Sequence, residues 1–215
     1  MPVKLVVYDL DGTLVDSAPT TVALLNQLRN ELGLSSLPHD TFIPWLSLGG
    51  VKIMSNALEL DSDQTAKEYL EEFRRRLASL PSETMPLYPN VKESLQLLFA
   101  SGIRIGICTN KANRLVHKII KELRIADYFD VVIAGDDLPV SKPNPVHLLT
   151  CLKRLNVSIK DAIFVGDSTV DQITAETTDV PFAFYQKGYN DGVNESASIS
   201  FNDHLDLVKR IIKYE

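Results

Sequence analysis

Two cysteines in 215 residues, Cys108 and Cys151, are too few and too far apart for a disulfide framework or a thiolate metal site. Both sit in apolar surroundings and read as small core residues. Long apolar runs are lacking too. Nothing approaches the ~20 residues needed to span a bilayer, and Asp9 and Asp11 interrupt the first apolar run before it can serve as a signal peptide. There is no basic excess: 28 acidic against 22 basic residues leave a net charge of -6. That balance argues against a general nucleic-acid or anionic-membrane binder, while a locally positive site for a small anion stays open. Repeats and low-complexity tracts are missing as well. Together these absences lead us to expect a cytoplasmic, reduced environment, and they leave the oligomeric state unread. What is present is an ordinary globular composition, 45% hydrophobic and 23% charged. Its length allows one large domain or a core with a small insertion.

The stretch 3–14, VKLVVYDLDGTL, drives a β-rich apolar run into two acids, a glycine and a threonine. Leu5, Val6 and Val7 suit a strand covered on both faces. Asp9 and Asp11, two apart, point to one side if the strand geometry persists, and carboxylates held together repel unless a cation lies between them. Ordinary turn chemistry at Asp11 and Gly12 accounts for the segment equally well, so the rest of the chain has to decide.

Ser17 offers an N-cap, with Pro19 in the first turn of a helix carrying Val22, Leu25, Leu28 and Leu32, and Gly33 as its stop. From residue 39 to about 83 the pattern stays helical, over 42–46, 51–60 and 61–80, with no convincing strand. An all-helical block directly after a first strand looks like a lid, and Pro81, Pro86 and Pro89 mark the return path. From residue 91 helix and strand alternate: helices over 91–100 and 113–123, strands over 103–108, 131–134, 162–165 and 182–185. Asn144 caps a helix starting at Pro145 with Leu148, Leu149, Leu152 and Leu155 on one face, and a last helix covers about 202–213. The expected fold is α/β, a doubly wound parallel sheet with an inserted all-helical domain. The core would comprise residues 1–15 and 84–215 and the insertion 16–83.

In such a sheet ligands collect beyond the carboxyl ends of the strands. Those ends offer Asp9 and Asp11, Thr109 and Asn110, Lys142 a little after the third strand, and Asp167 with Asp171. Carboxylates for a hard cation, a hydroxyl and an amide for oxygen atoms, and an ammonium for a negative group form an inventory for phosphate and magnesium. Each has a plainer explanation. Ser168 to Asp171 reads as a capping box, Thr109-Asn110 as a turn, and Lys142 before Pro143 as solvated loop charge. All four at strand ends make the joint catalytic explanation the stronger one.

The strings DLDGTL from Asp9, CTN to Asn110, SKPNP around Lys142 and GDSTVD from Gly166, in this order, resemble the four motifs of the haloacid-dehalogenase-like phosphohydrolases. The resemblance covers the whole chain and makes the helical insertion that family's cap. DLDGTLVDSAP, TNK, SKPNP, GDS and the late GYN are most similar to the phosphoglycolate-phosphatase-like branch. Two departures stand out: Ile43-Pro44 precede Trp45 where the branch commonly has an arginine, and the segment after Tyr189 is short. The resemblance implies a magnesium-dependent phosphatase of a small organic phosphomonoester, acting through an aspartyl-phosphate. It implies Asp9 as nucleophile, Asp11 as proton donor and acceptor, and Thr109, Asn110 and Lys142 on the phosphate. It also implies Mg2+ on Asp9, the Asp11 carbonyl and Asp167, with Asp171 supporting from behind. A phosphosugar mutase and a non-catalytic binding protein on the same fold are the alternatives.

Other candidates carry less. His39, His117, His147 and His204 lack ligand spacing and are expected at the surface or on helix flanks. Arg74, Arg75 and Arg76 follow Glu71 and Glu72 as a solvated, paired face, with one of them a candidate for a substrate carboxylate. Lys111 has a claim on the site by proximity, and the stretch 45–50 around Trp45 and Ser47 is placed to reach it.

Overall fold

A computed structural model describes residues 3–194 and 199–213; the ends of the expected core, 1–2 and 214–215, lie outside the described residues. The chain begins with β1 (Leu5–Tyr8), every residue of which is buried. Side chains alternate across it: Val6 and Tyr8 join one core, Leu5 and Val7 the other, as the two-residue period of a strand requires.

Four helices follow: α1 (Ala18–Glu31), α2 (His39–Leu46), α3 (Gly50–Leu58) and α4 (Asp63–Ser79). No strand interrupts them among the described residues. They share a core in which Leu25, Leu28, Phe42, Met54, Leu58 and Ala66 are fully or almost fully buried. Arg29, 3% exposed, bonds the carbonyls of Ser35 and Ala57 and pairs with Glu59, closing the α1–α3 corner.

The alternating half comprises α5 (Val91–Ala100), β2 (Arg104–Cys108), α6 (Asn113–Glu122), β3 (Val131–Ile133), α7 (Val146–Leu155), β4 (Ala162–Gly166), α8 (Thr169–Thr178), β5 (Phe182–Tyr185), β6 (Ile199–Phe201) and α9 (His204–Lys213). All strand pairs are parallel, in the order β3-β2-β1-β4-β5-β6. The order reverses at β1, so Tyr8 is level with Ile107 on one side and Val165 on the other. Helices α5, α6 and α9 cover one face and α7 and α8 the second. The α/β doubly wound sheet is therefore as expected.

Four expectations are corrected. Strand β6 is an addition to the expected strands, since three residues, with Ile199 46% exposed, carry little periodicity. Leu149 is exposed, and α7 buries His147 and Cys151 with Leu148 and Leu152. His147 and His204 are fully buried and not at the surface. Ser17 stands at the start of α1 yet makes no side-chain cap, because its hydroxyl is used elsewhere.

Candidate active site

The strand ends of β1, β2 and β4 and the loop after β3 converge on one small volume. Asp9 follows β1 directly and its N–H donates to Val165 O at 2.8 Å, so the backbone of β4 carries it. Gly12 turns the chain with φ +81, and a Cβ there would stand 2.2 Å from Asp167 Oδ2. Only glycine tolerates both the angle and the contact. Thr13 Oγ1 then donates to Asp167 Oδ1 at 2.6 Å, while the Tyr189 N–H donates to Asp167 Oδ2 at 2.6 Å. Asp167 is wholly buried, and burial, with Asp171 and Asp9 nearby, holds its carboxyl well above the usual range.

Asp171 serves two ends at once. Its Oδ2 accepts from the N–H groups of Asp167 and Ser168 and from Ser168 Oγ, completing a capping box at the start of α8. Its Oδ1 accepts a 2.6 Å hydrogen bond from Lys142 Nζ. Structural cap and buried ion pair thus coexist in one side chain. Lys142, 4% exposed, also lies 3.0 Å from Asp9 Oδ1 and 5.4 Å from the Phe164 ring centre. Burial alone would drive its ammonium towards neutrality, but Asp171 and Asp9 hold it charged, above the ordinary lysine value.

Asp9 is the under-satisfied member. Its Oδ1 is buried and makes no aligned hydrogen bond, Lys142 being close but out of line. Burial, with Asp171 and Asp11 adding to it against the pull of Lys142, pushes the carboxyl up to about 7. Oxygen atoms of Asp9, Asp167 and Asp171 lie within 4.8 Å of one another. Three buried acids with one ammonium leave an excess of negative charge, which is what a divalent cation relieves. The donor set therefore fits a hard cation on Asp9 and Asp167, whose oxygens each accept at most one hydrogen bond, whereas Asp171 is taken up by three donors at the start of α8 and by the Lys142 ammonium.

Asp11 faces the cavity from the other side. Lys111 Nζ approaches it at 2.8 and 3.1 Å, and Ser17 Oγ donates to it at 2.6 Å while lying 3.0 Å from Tyr189 Oη. Thr109 is buried, and its Oγ1 accepts from the Lys111 N–H. Asn110 is placed differently from a free phosphate ligand: its amide donates to Ser47 O and Lys142 O, and its oxygen accepts from Lys142 N–H. A cavity of about 80 Å³ opens above Asp9, Asp11, Thr109 and Lys111, and Leu46, Ile53, Leu70, Phe73 and Leu77 of the four-helix segment line its roof.

All seven sequence-selected positions therefore meet here. Thr13, Ser17 and Tyr189 join them, the first two from the DLDGTLVDS string and the third from GYN; two hydroxyls and a backbone N–H carry no local sign of the acids they bond. Arg75 and Arg76 are paired with Glu72, and Arg76 also with Glu31, away from the cavity. Arg74, paired with Glu71, lies at the cavity wall.

Known proteins are similar to this chain over most of its length. The family model described as haloacid dehalogenase-like hydrolase matches residues 6–185. Phosphoglycolate phosphatase of Nitrosospira multiformis is 34% identical over 198 residues, covering 89% of this chain and 87% of its own. The enzyme of that name from Nitrosococcus oceani is 32% identical, covering 97% and 96%. Among solved structures, a Haemophilus somnus protein described as a predicted phosphoglycolate phosphatase superposes with a TM-score of 0.86 at 26% identity, covering 97% of both chains. A match over so much of the chain, on a parallel sheet whose strand ends carry these acids, establishes that the protein belongs to the haloacid dehalogenase-like hydrolase family.

Proposed function

We propose that the protein is a magnesium-dependent phosphatase of a small organic phosphomonoester, with Asp9 as nucleophile. The observation that carries this reading is the Asp9 carboxylate, buried on the cavity floor with an oxygen that no hydrogen bond engages. In the first step an Asp9 oxygen bonds to phosphorus and the bond from phosphorus to the alcohol oxygen breaks, with Asp11 giving that oxygen its proton. Lys111, 2.8 Å away, stabilises the carboxylate left behind. In the second step Asp11 takes a proton from water, whose oxygen displaces Asp9 from phosphorus and releases phosphate. Lys142 neutralises charge at Asp9 throughout, and the Thr109 hydroxyl meets a phosphate oxygen. The Asn110 amide acts mainly by holding Lys142 in place. Mg2+ would be held by Asp9, the Asp11 carbonyl and Asp167, where it supplies the positive charge that lets a phosphate approach a carboxylate. Asp171 supports the site from behind through Lys142.

Residues 16–83 act in this reading as a cap over a core of 1–15 and 84–215, shielding the cavity from water. The relatives' name makes phosphoglycolate the first substrate to test. Two free, buried thiols, Cys108 and Cys151, support a reduced, cytoplasmic setting. No described helix is long and apolar enough to cross a membrane.

The purified protein should release phosphate from a generic aryl phosphate with magnesium and fail to do so after chelation. Asp9→Asn should abolish release; steady turnover by that variant would sink the nucleophile assignment. A panel of phosphoglycolate and hexose phosphates, scored for free phosphate against isomerised sugar phosphate, separates phosphatase from mutase. No reaction on any member would favour a binding protein.

A further inference from the structure

The turn between α2 and α3 is the point at which the four-helix segment grips the strand ends. Gly49 and Gly50 there have φ of +61 and +54, and a Cβ on Gly49 would stand 3.1 Å from the Asn110 Cβ. Ser47, just before them, is held at both ends. Its hydroxyl donates to Asp191 Oδ2 at 2.9 Å, and its carbonyl accepts from the Asn110 amide at 3.2 Å.

Both partners lead directly to the chemistry. Asn110 fastens Lys142 by two further bonds, 2.9 Å to its N–H and 3.1 Å to its carbonyl. Asp191 accepts from Thr169 N at 2.6 Å and Thr169 Oγ1 at 3.0 Å, at the start of the helix that follows Asp167. Its neighbours Tyr189 and Asn190 hold Asp167 through their N–H groups at 2.6 and 3.0 Å. Helix capping does not by itself account for Asp191. The N-terminus of α8 already has Ser168 and Asp171 as a reciprocal cap, and the bond to Ser47 reaches 144 positions back to a different part of the fold.

We propose that Ser47 is the seat of a latch closing the helical cap, and that Asp191 is a positioning residue whose carboxylate grips the cap and steadies the Asp167 loop at the same time. Asn110 is its second arm, tying the seated cap to Lys142. A charge-assisted hydrogen bond of this kind strengthens as water leaves the cavity, so an occupied site favours the seated cap and the seated cap retains its occupant. The kinetic consequence rests on the phosphatase reading; the conformational one does not.

Trp45, the single tryptophan, lies two residues before Ser47 and reports on the latch without any turnover. Ser47→Ala removes the grip and leaves the Asp191 bonds to Thr169 intact. Acrylamide should quench Trp45 about twofold more steeply in this variant, and kcat/KM on an aryl phosphate should fall about tenfold, the equivalent of one such bond. Most of that loss should fall in KM, because the latch acts alike on bound substrate and transition state. Ser47→Thr keeps the hydroxyl and should restore both readouts. Wild-type quenching in Ser47→Ala overturns the latch, as does failure of Ser47→Thr to restore it while the thermal midpoint is unchanged. Should the wild-type protein release no phosphate, the phosphatase reading falls and the fluorescence alone decides.

Discussion

Lys142 is bonded to Asp171 and only adjacent to Asp9: Nζ donates at 2.6 Å to Asp171 Oδ1 and stands 3.0 Å from Asp9 Oδ1 without alignment. The anchor and the working partner are different acids. Asp171→Asn should therefore leave Asp9 in place but let the ammonium wander, lowering kcat by about 10- to 100-fold, the range for groups that orient a site from behind. Lys142→Met leaves Asp9 and Asp171 without their ammonium and should cost about 3–5 kcal/mol without magnesium, read from urea unfolding.

Magnesium itself should stabilise the fold. Asp9, Asp167 and Asp171 crowd together, and the one ammonium beside them pairs only with Asp9 and Asp171, so a cation binding the folded state is linked to unfolding. At a concentration a hundredfold above its Kd the gain is about 2.7 kcal/mol, which shifts the thermal midpoint of a chain this size by about 5–10 °C. Asp167→Asn should remove most of that shift in a thermal melt with and without magnesium.

Gly12→Ala tests the turn that brings the β1 and β4 ends together. Its Cβ would collide with the Asp167 carboxylate at a φ of +81, so Asp167 must move and loses its bond from Thr13. We expect loss of turnover by at least about a hundredfold together with loss of the magnesium-induced melting shift. Normal activity in this variant would show that the turn relaxes freely.

His204 makes stability fall with acidity. It is buried beside Tyr8, Tyr185 and Phe201, and burial lowers its pKa to about 4 from the ordinary histidine value of 6.5. Between those values the unfolded chain binds the proton and the folded one does not, so unfolding free energy rises with pH across this window. The contribution is fully present above pH 6.5 and lost on acidification towards pH 4, about 2 kcal/mol of it by pH 5 and roughly 3 kcal/mol in all. His204→Phe keeps a ring in the cluster and should flatten this part of the profile; an unchanged slope between pH 7 and 5 would exclude His204 as its source.

The sequence was legible where one pattern dominated. Strand β1 announces itself because it is covered on both faces, and α5 runs over the expected 91–100 because its apolar positions are helical and Ser101-Gly102 ends it. The acids were readable because charge directly after an apolar strand demands a reason. What could not be read were interactions supplied by distant chain. Ser17 looks like a cap from its neighbours alone, yet its hydroxyl serves Asp11 and meets Tyr189, 172 positions away. Asn110 likewise looks free to bind a ligand until the Lys142 loop and Ser47 take up its amide. His204 carries no local sign that three aromatic rings will enclose it. β6 is too short to declare itself without β5 beside it.

The central place of β1 also governs when the protein becomes a protein. Strand β1 finds its neighbours only in β2 and β4, which begin at residues 104 and 162. Until β4 emerges, an apolar strand ending in two acids has one edge open, and an open edge invites pairing with other chains. The intervening four helices pack on one another, which gives the growing chain local contacts to form while β1 waits. A chain cut short before residue 162 would thus be a target for aggregation or proteolysis rather than a weakened enzyme.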